Sequence, residues 1–176
     1  MPTETCVAAP LALAIVWEDD AVTALHLAWA EDRQADVTTD GGRAMQKALA
    51  RYVTGAPPAW PELPFRFDGL SPFARKVLHE LFRVPLGQKV SYGWLAARVG
   101  APKAARAVGR VMAKNPFPLV YPCHRVVGAS GALTGFGPGI DMKNYLLELE
   151  GAERQEEASG GRGHDAPGPL APKTRF

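Results

Sequence analysis

A chain of 176 residues, 47% of them hydrophobic and 22% charged, has the composition of a globular protein with one compact unit or two small domains. No apolar run is long enough to cross a bilayer and the N-terminus carries no basic leader, so we expect a cytoplasmic protein without membrane contacts. The two cysteines, Cys6 and Cys123, follow no metal-ligand spacing, which predicts free thiols, and we assign no metal-site residue; whether the N-terminal domain binds a metal stays open. We assign no role to Cys6, which we expect near a mobile terminus.

The net charge of +2 hides an uneven distribution. Residues 1–70 carry 5 Lys+Arg and 10 Asp+Glu, a net of −5, whereas residues 71–151 carry 11 and 4, a net of +7. A basic block of this kind indicates contact with a polyanion. A soluble domain with an uneven surface charge would show the same feature, so charge alone does not decide between the two.

The first 70 residues predict a small α+β domain. Two apolar runs, Ala12–Trp17 and Val22–Ala28, are separated by acidic turn residues and indicate a β-hairpin. Ala44–Val53 is typical of a short helix that stops at Gly55. The Pro-rich stretch Ala56–Pro64 predicts a linker or an extended crossing segment.

Residues 71–151 predict a mainly helical domain. Ser71 is a plausible N-cap for an amphipathic helix over Pro72–Arg83. Ser91 can cap a second helix that ends at Val99, and Pro102 at a first-turn position opens a third that runs to about Lys114. Two short helices joined by a tight glycine-containing turn are typical of a helix-turn-helix. The tail, residues 152–176, has little to bury and is predicted to be disordered.

The third of these helices has the pattern of a DNA-contacting element. Its inward face carries Ala104, Val108, Val111 and Met112, and its outward face carries Lys103, Arg106, Arg110 and Lys114. The outward residues between the cations are small, which lets a helix backbone approach a groove while the cations neutralise phosphate. An ordinary solvated helix face is the alternative interpretation.

The segment Pro122-Cys123-His124-Arg125 is a candidate reactive site. The thiolate is the nucleophilic form of cysteine, so Cys123 needs a base, and His124 is adjacent to it. Neighbouring residues of a strand point to opposite faces, so a bridging water is a reasonable alternative to a direct bond. A buried structural cysteine with an unrelated histidine is the competing interpretation.

A carboxylate should orient the imidazole of His124. The candidates are Glu148 and Glu150 on a predicted helix over Asp141–Glu150, which ends at Gly151. Both flank the apolar stripe of this helix, so periodicity leaves the choice between them open.

Taken together, residues 71–151 resemble the C-terminal domain of the O6-alkylguanine-DNA alkyltransferases, the methylated-DNA–protein-cysteine methyltransferases. The motifs occur in that family's order; they are Val90-Ser91-Tyr92, Pro102-Lys103-Ala104-Ala105-Arg106-Ala107-Val108-Gly109, Asn115-Pro116, Pro122-Cys123-His124-Arg125-Val126-Val127 and Leu146-Leu147-Glu148-Leu149-Glu150-Gly151.

The resemblance implies a role for each matching residue. Cys123 would accept the alkyl group, His124 would be the water-mediated base and Glu150 the carboxylate behind it. Asn115 would be a hydrogen-bonding hinge between the helix-turn-helix and the site. Arg106 would replace the extruded base in the stack, and Tyr92 would aid the flip and help to hold the base.

The resemblance also implies the partners and the surroundings of the reaction. The substrate would be double-stranded DNA that carries O6-alkylguanine, or O4-alkylthymine, bound by a monomer through the minor groove without a cofactor. Each molecule would react once. DNA contacts would come from Tyr92, Lys103, Ala105, Arg106, Ala107, Gly109, Arg110 and Lys114. The substrate pocket would be lined by Tyr92, Met112, Pro118, Val126, Phe136 and Gly137.

The implied fold is a small ribonuclease-H-like α+β domain over residues 1–70, followed by a winged-helix-like domain over residues 71–151. Three residues depart from the family's pattern: Arg110, Phe136 and Pro138. Three other functions compete with alkyl transfer: a lesion sensor that cannot react, a helix-turn-helix transcription regulator, and a cysteine hydrolase.

Overall fold

The computed structural model describes residues 2–151 and 153–154. These residues have a mixed α/β architecture of five α-helices and six short strands, divided between two compact units. Of the described residues, the first unit holds the chain up to Leu70 together with residues 116–120, and the second holds Ser71–Asn115 and those from Tyr121 onward. Apart from residues 153–154, the predicted disordered tail lies outside the described residues. Among the helices described, none is both long enough and apolar enough to cross a membrane.

The first unit is built on an antiparallel sheet of β1 (Thr3–Ala8), β2 (Leu11–Glu18) and β3 (Ala21–Trp29). The predicted hairpin is confirmed as β2–β3, where alternate apolar residues such as Ile15 and Leu25 pair and are buried. β1 was not predicted. The expectation that Cys6 lies near a mobile terminus was wrong, because Cys6 is fully buried within β1.

Helix α1 (Asp40–Tyr52) begins four residues before the predicted start at Ala44. The reason is Thr39, whose hydroxyl accepts a hydrogen bond from the Gly42 amide and caps the helix. The first turn of α1 therefore includes Gly41 and Gly42, although glycine has a low helix propensity. Glu4 on β1 accepts hydrogen bonds from the Thr39 hydroxyl (2.7 Å) and the Trp17 indole (2.8 Å). Burial raises the pKa of Glu4, but its hydrogen bonds outweigh burial and lower the pKa to about 2.

The segment 116–120 belongs to the first unit although it lies far along the chain. The Leu25 amide donates to the Pro116 carbonyl at 2.7 Å. The Phe117 ring packs on Phe65 and Phe67, with centroids 4.8 and 5.2 Å away. As predicted, residues 56–64 form no helix or strand.

The described part of the second unit contains four helices and a small parallel sheet. Ser71 and Ser91 cap helices as predicted, each accepting a hydrogen bond from the amide three residues later. The elements are α2 (Pro72–Phe82), β4 (Gln88–Ser91), α3 (Tyr92–Arg98), α4 (Ala105–Ala113), a 3₁₀ turn (Cys123–Arg125), β5 (Val126–Val127), α5 (Ile140–Leu149) and β6 (Glu153–Arg154). The strands run in the order β5-β4-β6.

Helix α4 begins three residues later than predicted, so Pro102 is not at its first turn. The Ala101 amide donates to the Ala96 carbonyl and the Gly100 amide to the Ala97 carbonyl, which closes α3 in a Schellman motif. The Ala104 amide then donates to the Ala101 carbonyl. Pro102 therefore occupies the second position of a reverse turn, where its fixed φ is favoured, and α4 can start only after that turn.

Candidate active site

Cys123 and His124 lie in one turn of 3₁₀ helix rather than in a strand. The Arg125 amide donates to the Pro122 carbonyl at 2.9 Å and thereby closes the turn. The strand-based expectation that the two side chains face opposite sides was therefore wrong, because successive residues of a 3₁₀ helix are rotated by about 120°. Both side chains are buried, Cys123 at 5% and His124 at 0% exposure.

His124 is joined to Glu150, the residue that follows α5. Nε2 of His124 lies 2.7 Å from Oε1 of Glu150. Nε of Arg125 donates to Oε2 of Glu150 at 2.8 Å, and a second guanidinium nitrogen donates to Oε1 at 3.0 Å. A third bond runs from Arg125 to the Val84 carbonyl at 2.6 Å. The buried carboxylate is thus held between an imidazole and a guanidinium.

The charges around Glu150 determine which histidine nitrogen carries the proton. Burial raises the pKa of Glu150, but the hydrogen bonds from His124 and Arg125 and the charge of the Arg125 guanidinium outweigh burial and hold that pKa far below its usual range. Burial lowers the pKa of His124 against the opposing charge of Glu150, so the resting imidazole is neutral. An ionised carboxylate can only accept, so Nε2 carries the hydrogen. Nδ1 is then an acceptor, and it has no hydrogen-bond partner among the described residues.

Glu148, the other candidate carboxylate, lies on the exposed side of α5. It accepts a hydrogen bond from the Asn144 side chain at 2.6 Å, whereas Glu150 is buried. Glu150 is the C-cap of α5, and the chain then turns at Gly151 with a φ of +60°. Both glutamates flank the apolar stripe of α5, which is why periodicity could not separate them.

Asn115 connects the end of α4 to the cysteine. Its backbone N–H donates to the Met112 carbonyl at 3.3 Å, and its side-chain amide donates to the Tyr121 carbonyl at 2.7 Å. Burial raises the pKa of the Cys123 thiol, while a hydrogen bond from the Asn115 side chain and the charge of Lys143 act in the opposite direction. The thiol therefore needs a base to lose its proton near neutral pH.

Lys143 is a site residue that the sequence interpretation missed. The side chain is fully buried on α5, and Nζ donates to the carbonyls of Val126 (2.6 Å) and Thr134 (2.9 Å). Burial lowers the pKa of Lys143 to about 8, opposed by the charge of Cys123. A signal was present in the sequence, since Lys143 lies three and four residues before the buried Leu146 and Leu147.

The predicted basic surface is present on and beside α4. Val108 and Met112 of α4 are buried, and none of the four predicted cations forms an ion pair within the described part of the chain. Arg106 and Arg110 are exposed on the helix, while Lys103 lies in the preceding turn and Lys114 is the C-cap, both exposed. The small residues Ala105, Ala107 and Gly109 also lie on α4.

The predicted pocket residues fall in several elements. Tyr92 begins α3, and a Cβ placed on Gly109 would lie 3.9 Å from its ring. The Phe136 ring is 6.5 Å from the His124 ring, centroid to centroid. Met112 and Val126 are buried, and Gly137 lies exposed in the loop before α5. Pro118 is in the segment that belongs to the first unit.

Known proteins resemble this chain most strongly in the second unit. The family described as "6-O-methylguanine DNA methyltransferase, DNA binding domain" matches residues 72–152. A methylated-DNA–protein-cysteine methyltransferase of Mycolicibacterium paratuberculosis is 54% identical over 80 residues, which are 46% of this chain and 48% of that protein. The chain thus spans about half the length of the mycobacterial relatives it matches.

Two further comparisons extend over most of the chain. The Salmonella typhimurium protein of the same name is 38% identical over 143 residues, 78% of this chain and 82% of that protein. The crystal structure of Mycobacterium tuberculosis OGT in complex with DNA superposes with a TM-score of 0.69 at 36% identity, covering 84% of this chain and 91% of that one. The chain therefore belongs to the family of methylated-DNA–protein-cysteine methyltransferases, the O6-methylguanine-DNA methyltransferases.

Proposed function

We propose that this protein repairs DNA by transferring the alkyl group of O6-alkylguanine, or of O4-alkylthymine, to Sγ of its own Cys123. The observation that carries the proposal is the buried cysteine beside a neutral histidine whose other nitrogen is bonded to an ionised glutamate. The Salmonella and mycobacterial relatives are named methylated-DNA–protein-cysteine methyltransferases, which supports transfer of a methyl group from DNA to a protein cysteine. No group among the described residues of the site would release the alkyl group, so we expect each molecule to react once.

The first step is proton removal from the thiol. The free lone pair of Nδ1 on His124 accepts the proton, directly or through a water molecule. The imidazolium that forms is stabilised by the carboxylate of Glu150 on its other side. Lys143 adds a nearby positive charge that favours the thiolate.

In the second step the thiolate attacks the alkyl carbon. The S–C bond forms as the bond from carbon to O6 breaks, and the electron pair stays on the purine. Tyr92 donates a hydrogen bond to a purine nitrogen and stabilises the developing charge. Because O6 is not accessible to the thiolate inside a stacked duplex, the base must first leave the stack, and Arg106 fills its position.

The proposal extends to the wider architecture. We assign a helix-turn-helix to α3–α4 within a winged-helix-like second unit, and a ribonuclease-H-like fold to the first. The small residues on the outward side of α4 favour docking in the minor groove of double-stranded DNA. The protein would act as a monomer in the cytoplasm, associated with the nucleoid, and would need no cofactor.

Intact-mass spectrometry tests the proposed function. Incubation with duplex DNA containing one O6-methylguanine should add one methyl group to the protein, and peptide mapping should locate it on Cys123. Unmodified guanine duplex is the control. A transcription regulator or a lesion sensor would stay unmodified, and a cysteine hydrolase would not retain the methyl group.

DNA affinity should fall steeply with salt because four exposed cations surround α4. Neutralising about four phosphates predicts a slope of roughly −3 to −4 for log K against log salt, measured by fluorescence anisotropy. Arg110→Ala should flatten the slope by about one unit, and Arg106→Ala should in addition slow alkyl transfer.

Lys47→Ala is the matched control, since Lys47 is an exposed cation on α1 outside the proposed DNA surface. This variant should keep the wild-type slope. A wild-type slope near zero would remove the cations of α4 from DNA binding.

A further inference from the structure

The loop between β5 and α5 contacts the side chain that we assign to the flipped base. The Thr134 hydroxyl donates a hydrogen bond to the Tyr92 hydroxyl at 3.1 Å. The Tyr92 hydroxyl in turn donates to the Thr134 carbonyl at 3.4 Å. Thr134 is exposed and Tyr92 is partly exposed, so these two bonds lie at the surface of the second unit and not in its core.

The Thr134 carbonyl is fixed from inside the protein. Nζ of Lys143 donates to it at 2.9 Å and donates to the Val126 carbonyl at 2.6 Å. Val126 directly follows the turn that carries Cys123. A fully buried ammonium group therefore links the backbone beside the nucleophile to the backbone that holds Tyr92.

The two bonds between Thr134 and Tyr92 differ in what they do to the phenol. A phenol donates a single hydrogen bond, and at 3.4 Å its bond to the carbonyl is long and weak. The phenol can therefore redirect its hydrogen bond to an incoming acceptor with little loss of hydrogen-bond energy. The hydrogen bond from the Thr134 hydroxyl can persist during this change, because the phenol oxygen is its acceptor. An oxygen that accepts one hydrogen bond becomes a better donor of its own.

We propose that Thr134 is a positioning residue for alkyl transfer, which holds the Tyr92 phenol by its side-chain hydroxyl and strengthens the hydrogen bond that this phenol donates to the flipped purine. The inference rests on the proposed function. Thr134 lies in the loop between β5 and α5 and acts on the substrate only through Tyr92.

The test is a double-mutant cycle on single-turnover transfer from O6-methylguanine duplex, with protein in excess. Thr134→Val removes the hydroxyl, preserves the shape of the side chain and leaves the carbonyl in place. It should slow transfer roughly fivefold, as expected for the loss of one hydrogen bond. Thr134→Ser restores a hydroxyl and should recover most of the rate. Tyr92→Phe should slow transfer by roughly tenfold or more.

The decisive measurement is Thr134→Val in the Tyr92→Phe background. If Thr134 acts through the phenol, the second substitution should cause no further loss. Losses that multiply, or a Thr134→Val rate equal to wild type, would overturn the proposal while the transfer activity itself stands. If wild-type protein gains no methyl group, the proposed function fails instead. Thr134→Ala, followed with thermal unfolding, gives a second variant without the hydroxyl should valine disturb the loop.

Discussion

Replacing Cys123 with serine should abolish alkyl transfer and leave binding to lesion-containing DNA largely intact. A serine hydroxyl has nearly the shape of the thiol but is not ionised by a histidine base as a thiol is, and the weaker nucleophile would not displace guanine. DNA binding depends on the exposed cations around α4 and on the pocket, neither of which is altered. Transfer is followed by intact mass and affinity by fluorescence anisotropy with O6-methylguanine duplex.

Cys6→Ser is the matched control, because Cys6 is the other buried thiol of the chain. Burial and the charge of Glu4 raise the pKa of Cys6 to about 12, and its Sγ donates to the Gly42 carbonyl. Serine can keep that bond, so this variant should retain transfer. Methylation of the Cys123→Ser protein at close to the wild-type rate would show that another residue accepts the alkyl group.

The second large effect is expected for Glu150→Gln, which should slow transfer strongly near neutral pH with little loss of DNA affinity. Glutamine keeps the shape of the side chain and removes the charge that stabilises the imidazolium of His124. The pKa of His124 should then fall further below its ordinary value, and the histidine becomes a poorer base. The measurement is a pH–rate profile of single-turnover transfer.

At higher pH the Glu150→Gln variant should recover part of its rate, because the thiol then ionises without help. Recovery should stay incomplete for a reason visible in the site. The pKa of Lys143 is about 8, so its positive charge, which favours the thiolate, is present below that pH and is lost above it.

Glu150 also neutralises Arg125, so the substitution leaves a buried guanidinium without its counter-charge. Loss of one partner of a buried ion pair costs about 3–5 kcal/mol of stability. Thermal unfolding should therefore be measured in parallel. His124→Gln retains the pair between Glu150 and Arg125 yet removes the base, so it should give the same slow, alkali-rescued profile in a more stable protein.

Glu148→Gln is the matched control for the carboxylate, since Glu148 is exposed and bonds to Asn144. It should behave like wild type. If Glu148→Gln gives the slow profile and Glu150→Gln does not, the assignment of the carboxylate is wrong. If none of the three variants is slowed, Cys123 loses its proton by a route that does not involve His124.

Local features of the molecule could be predicted from the sequence. The hairpin follows from alternating apolar residues on either side of an acidic turn, and two helices begin where Ser71 and Ser91 cap them. The nucleophile and its base are neighbours in the chain, so the motif alone identifies Cys123 and His124 as candidates. Each of these predictions depends on residues within a few positions of one another.

The start of α4 shows where local prediction failed. Pro102 is equally compatible with a first helical turn and with a reverse turn. The hydrogen bond from the Ala104 amide to the Ala101 carbonyl, next to the closing bonds of α3, decided in favour of the turn. Cys123–Arg125 is a second case, because the expectation for it was based on strand geometry and the segment forms a 3₁₀ turn.

Local patterns did not determine which charged groups enter the site, although the family resemblance pointed to Glu150; the contacts that hold these groups exist only in the tertiary structure. Periodicity could not choose between Glu148 and Glu150, but His124 and Arg125, some 25 residues earlier, contact only the second. The spacing of Lys143 from Leu146 and Leu147 places it on the buried side of α5, but only the folded chain supplies the two carbonyls, of Val126 and Thr134, that accept its hydrogen bonds there. The physical reason is common to both cases. Burial of a charge is tolerated only where partners from other segments satisfy it, and those partners come together when the chain folds.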